Sequence, residues 1–157
     1  MITALLDHVY QKDIKMIQKN KSYQFFSSQK LDSALKSAVR INQDALIQRY
    51  LENTRARQLG FLVYAHGQFY ELQYGRTSFL YIERFSLSGD FEAASVWRET
   101  YLSGRKASSK MVVMAKDVSF AKAFGQATSF IDWLNKKRGH VIANQQPSKQ
   151  ITVWEMD

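Results

Sequence analysis

Between residues 100 and 116 the chain carries Arg105, Lys106, Lys110 and Lys116 and no Asp or Glu. Lys136, Lys137 and Arg138 form a second cluster. Cations grouped in this way neutralise phosphates, and Ser103, Ser108 and Ser109 add hydroxyls that can donate to phosphate oxygens. The expected nucleic-acid contacts are Arg105, Lys106, Lys110, Lys136, Lys137 and Arg138. No base-reading motif accompanies them, so the contacts would be directed at the backbone. A plainer role competes: cations at a hairpin tip solubilise an exposed turn and blunt edge pairing.

Other chemistry is poorly supported. The three histidines, His8, His66 and His140, do not have the spacing of a helical metal pair, and there is no HExxH. With no Cys, thiolate ligands, disulfides and a thiol nucleophile are all excluded. GxSxG, the P-loop and GxGxxG are absent. No Glu is followed two residues later by Lys, so the strand motif of metal nucleases is missing. Glu99 beside Arg98 and Tyr101 reads as surface pairing. The expectation is a non-enzymatic binding protein with no metal and no cofactor.

Net charge is +8 and the isoelectric point about 9.7. That balance favours acidic partners: DNA or RNA, or an acidic surface of a nucleic-acid-handling protein that the chain inhibits or adapts. Asp7 and His8 interrupt the N-terminus too early for a secretory segment, and no apolar run approaches transmembrane length. A cytoplasmic location without membrane contact is expected.

The elements that must position these residues centre on 60–89, which holds eight aromatics and no Pro. Aromatic and β-branched residues suit strands. Gly75-Arg76 fits a two-residue hairpin turn, and His66-Gly67 a second. These turns would pair Val63 with Tyr70, Leu72 with Phe79 and Tyr70 with Tyr81. One face then collects Phe61, Val63, Tyr70, Leu72, Tyr74, Phe79 and Tyr81 as core. The other collects Leu62, Tyr64, Phe69, Glu71, Gln73, Ser78, Leu80 and Ile82, with Glu83 on the face opposite Glu71. Tyrosines on a sheet also suit a stacking platform for bases. If exposed, Tyr64, Phe69, Tyr101 and Trp154 are the expected anchors of a protein interface.

Around this centre, Ile2, Leu5, Leu6, Val9 and Ile17 predict a helix from 2 to about 18, with Lys12, Lys15 and Lys19 on one face. Residues 20–28 read as a loop with Ser28 capping the next helix. Residues 29–57 predict one long helix, or two with a break near Ile41-Asn42, stopped by Gly60. Residues 95–102 and 111–114 read as strands joined by a turn over 103–106. Asp117 is the expected cap of an amphipathic helix whose stripe is Phe120, Phe124, Ala127, Ile131 and Leu134, ended by Gly139. A polar loop over 140–149 and an edge strand in 151–157 complete the reading. The sequence thus predicts a single α+β domain over 1–157: N-terminal helices, an antiparallel meander of five strands, then a long helix packed on the sheet.

Overall fold

The computed structural model describes residues 2–88, 91–102 and 108–138. These fall into two compact units, 2–54 and 55–138, with the boundary inside one helix. The expected turn at 103–106, the loop over 140–149 and the final edge strand lie wholly or partly outside the described residues.

In the first unit, helix α1 covers Ile2–Gln11 and stops well short of residue 18. Asp13 adopts a left-handed conformation with φ 50°. Strands β1 (Ile14–Lys19) and β2 (Ser22–Ser27) then form an antiparallel hairpin. Its turn residues, Asn20 and Lys21, both have positive φ, 49° and 67°, as a primed two-residue turn requires. Ile14 and Met16 alternate into the core, so the period is 2 where a helix would need 3.6. Lys15 and Lys19 therefore lie on a strand with Lys12 in the turn before it, and the expected helical row of lysines does not form. The polar stretch read as a loop is β2.

Helix α2 (Ser33–Ile41) is capped by Asp32, whose carboxylate accepts from the Leu35 N–H at 2.7 Å, and not by Ser28. The side chain of Asn42 donates to the Ala38 carbonyl at 2.8 Å and ends α2, and α3 (Gln43–Gln58) follows. The break thus falls where the apolar phase shifts. Leu6, Val9, Ile14, Met16, Val39 and Leu46 make the core of this unit.

In the second unit, Gly60 ends α3 at φ 97°, a value that suits glycine. The strands β3 (Leu62–Tyr64), β4 (Phe69–Gln73), β5 (Ser78–Ser88), β6 (Phe91–Leu102) and β7 (Ser108–Val118) form one antiparallel sheet in chain order. Helix α4 (Phe120–Arg138) packs its stripe on this sheet. Phe124, Ala127, Ile131 and Leu134 are buried against Phe61, Tyr70, Leu80 and Val96. Fully burying a side chain such as Ile131 contributes about 1.5–3 kcal/mol. The helix is capped by Ser119, whose hydroxyl accepts from the Lys122 N–H at 3.2 Å. Asp117 is instead a β7 residue with φ 55°, beside an irregularity in the β6–β7 pairing. The fold is α+β, with five meander strands and a helix on one face.

The β3–β4 register is the expected one, with Val63 opposite Tyr70. The β4–β5 register is shifted by one residue: Leu72 faces Leu80 and Tyr70 faces Ile82. The connection has three residues, 75–77, flanked by a bond of 3.0 Å from the Tyr74 N–H to the Ser78 carbonyl. One extra loop residue exchanges the faces of everything that follows. Leu80 and Ile82 enter the core, and Phe79 and Tyr81 turn to the opposite face. The exchange is sensible physically, because compact aliphatic side chains sit under the helix.

A buried cation holds one end of the core. Arg84 is 5% exposed. Its Nε donates to the Gly67 carbonyl at 2.8 Å and one terminal nitrogen to the Tyr70 hydroxyl at 3.2 Å. Glu92 lies 3.8 Å from the other nitrogen, and the guanidinium stacks 3.5 Å from the centre of the Phe120 ring. The first turn of α4 is thereby tied to the β3–β4 connection.

Candidate nucleic-acid interface

Alternation along the strands decides where each cation points. Ser78 faces Thr100 and Thr100 faces Lys110 across β5, β6 and β7, and the two hydroxyls lie 3.2 Å apart. Ser78 shares the parity of Leu80 and Ile82, so this row is on the face that α4 covers. Lys110 is exposed at its outer end. The C-terminus of α4 reaches the same end of the sheet. Arg138 donates to the Tyr74 carbonyl, and its guanidinium lies 5.8 Å from the centre of the Tyr74 ring. Tyr74, Ser78, Thr100 and Lys110 form one cross-sheet row, about 14 Å long at ~4.8 Å per strand. Lys136 and Lys137 are exposed on the last turn of α4, and the Lys137 ammonium lies 4.7 Å from the centre of the Trp133 ring.

Four of the six expected phosphate contacts, Lys110, Lys136, Lys137 and Arg138, thus stand on elements that reach the same end of the sheet. Arg105 and Lys106 lie outside the described residues, in the connection between Leu102 and Ser108, which face each other across β6 and β7.

Sequence reasoning missed Arg98 and Trp133, which line this face. Arg98 and Glu99 are neighbours on a strand and point to opposite faces, so the expected surface pairing between them does not hold. The Arg98 guanidinium lies 5.2 Å from the centre of the Phe130 ring. It lines a groove of about 430 Å³ with Met114, Gln126, Ser129, Phe130 and Trp133. Trp133 is 50% exposed. The signal was available: in β6, Ala94, Val96 and Arg98 share one parity, and Trp97, Glu99 and Tyr101 the other.

The opposite face of the sheet is aromatic. Tyr64 and Phe69 lie 6.0 Å apart between ring centres, Phe69 and Tyr81 5.5 Å, Tyr81 and Trp97 5.4 Å, and Phe79 and Tyr101 5.7 Å. Three of the four expected protein anchors, Tyr64, Phe69 and Tyr101, therefore belong to one network; Trp154 lies outside the described residues. Glu71 and Glu83 were expected on opposite faces. The shifted register puts both here, Glu71 opposite Tyr81 and Glu83 opposite Phe69. Burial pushes the Tyr81 phenol well above its ordinary range, helped by the Tyr101 hydroxyl at 3.5 Å and by Glu71 and Glu99. Burial and Glu71 raise Tyr64 as well.

In the first unit, a concavity of about 660 Å³ is lined by Tyr23, Phe25, Leu31 and Val39, with Lys36 and Arg40 also contributing. Among the described residues, no group of three or more His, Asp or Glu is placed to hold a metal ion. No described helix is long and apolar enough to cross a membrane. Comparison with protein-family models, curated proteins and solved structures gave no match.

Proposed function

We propose that the chain is a non-enzymatic binding protein that grips the phosphate backbone of DNA or RNA at the sheet end where α4 stops. One observation carries this reading. Lys110 on β7 and Lys136, Lys137 and Arg138 on the last turn of α4, far apart in sequence, lie toward the same end of the sheet on the side that α4 covers, with Arg98 on the same face. Asp132 is the only carboxylate of α4.

The residues divide the work. Lys110 and Lys136 act as point charges for phosphates. Arg138, engaged with the Tyr74 carbonyl, fixes the helix end against the β4–β5 connection. Lys137 lies over the Trp133 ring, whose exposed surface can take a base or sugar beside the groove. Glu71, Glu83 and Glu99 occupy the opposite face, which discourages phosphate there and confines the interface to the helix side.

The reading is tested by fluorescence anisotropy with labelled single- and double-stranded DNA and RNA. Dissociation constants on the order of 1 µM or tighter near physiological salt support it. Binding that stays in the millimolar range for all four probes rejects it.

A further inference from the structure

The face of the five-stranded sheet that α4 leaves open has a composition that the phosphate reading leaves unused; Tyr81 at its centre is buried among the other rings. Six rings, Tyr64, Phe69, Phe79, Tyr81, Trp97 and Tyr101, run in contact across β3, β4, β5 and β6. Met111 and Val113 continue the surface on β7 at 59% and 56% exposure, and Tyr64 and Tyr101 are exposed at 42% and 44%. Carboxylates are set among the rings in a regular way. Glu71 faces Tyr81, Glu83 faces Phe69, and Glu99 faces Phe79. They stand on three successive strands. From Leu62 on β3 to Val113 on β7, the strand side chains of this face include these three carboxylates and no Lys or Arg, and the exposed Lys116 and Asp117 follow only beyond the irregular β6–β7 pairing at the far end of β7. In a chain of net charge +8 that is a marked segregation.

From this pattern we infer that the open sheet face docks an extended cationic segment of a partner protein. The complementarity is chemical. A guanidinium or ammonium laid over a ring gains from its negative face, and the carboxylate beside that ring accepts the N–H bonds. Toward one end of the segment, apolar side chains on the same side as the cations cover Met111 and Val113. An extended segment presents every second side chain to one surface, which suits a row of rings and carboxylates. A nucleic acid would fit the rings but would have to bring its phosphates up to three carboxylates.

The test uses the full chain and two fluorescein-labelled synthetic peptides of equal length, one alternating Arg and Val, the other Glu and Val. The cationic peptide binds and the anionic one does not. Glu71→Gln and Glu99→Gln, isosteric changes, each weaken binding by about threefold, the scale of one partly exposed ion pair. Tyr101→Ser weakens it further, with an unchanged melting temperature as the check on folding. Equal binding of both peptides, or an affinity indifferent to the paired Glu→Gln change, overturns the inference. So does an oligonucleotide whose binding is abolished by Tyr101→Ser, since the face would then be a base platform. Lys110→Glu and Lys136→Glu leave the loss on Glu71→Gln intact, so the sheet face and the basic end can fail separately.

Discussion

The guanidinium of Arg138, the last residue of α4, donates to the backbone carbonyl of Tyr74 and lies 5.8 Å from the centre of its ring. Tyr74 opens the β4–β5 connection, so one side chain ties the helix C-terminus to the end of the sheet that carries Lys110. Arg138 and Lys136 should therefore behave differently. Arg138→Ala loses a charge-assisted bond and costs about 1 kcal/mol of stability as well as oligonucleotide affinity. Lys136→Ala lowers affinity alone. Paired denaturant melts and binding titrations check the difference.

The shifted β4–β5 register makes a ranking. Leu80 is fully buried under α4, and Phe79 lies on the open face. Leu80→Ala should cost about 2–5 kcal/mol, the range of a buried leucine truncation. Phe79→Ala should cost clearly less. Urea unfolding decides; the opposite ranking would restore the register of a two-residue turn.

Arg84 is a buried charge satisfied by the Gly67 carbonyl, the Tyr70 hydroxyl, Glu92 and the Phe120 ring. Arg84→Ala leaves Gly67 and Tyr70 without these bonds and should destabilise by about 3 kcal/mol. Lysine should not rescue, because an ammonium supplies neither the planar fork nor the stacking surface. Melting temperatures of the two variants test this.

Tyr81 gives a pH dependence with a definite sign. Its phenol is held protonated in the folded state beyond the ordinary value. The unfolded chain releases that proton near pH ~10. The contribution is complete below that pH and is lost as the solution becomes more alkaline. Tyr81→Phe should flatten the alkaline fall of the melting temperature. An identical fall in both proteins would contradict the assignment.

Much of this architecture is legible in the residues. The α4 stripe and the break near Asn42 follow from apolar period and phase. The meander follows from aromatic-rich runs separated by turns. What was not legible has local causes. Asn20-Lys21 closes a hairpin without the glycine that usually marks one, so β1 and β2 read as helix and loop. The connection at 75–77 is one residue longer than Gly75-Arg76 implies, which moves Phe79 and Tyr81 across the sheet. Ser119, not Asp117, caps α4, because Asp117 still belongs to β7. The basic residues of the candidate site were found from charge alone. Their placement toward one sheet end follows from the Arg138–Tyr74 contact and the β6–β7 register, and the part of Arg98 from strand parity, none of which charge reveals.

The most direct test is the salt dependence of oligonucleotide binding by the native chain and by the doubly neutralised Lys110→Gln, Lys136→Gln variant. Each phosphate contact adds about −0.9 to the slope of log K against log salt for duplex DNA. The account predicts that the double variant binds more weakly and that its slope is shallower by about 1.8. A slope unchanged by the double substitution would contradict it.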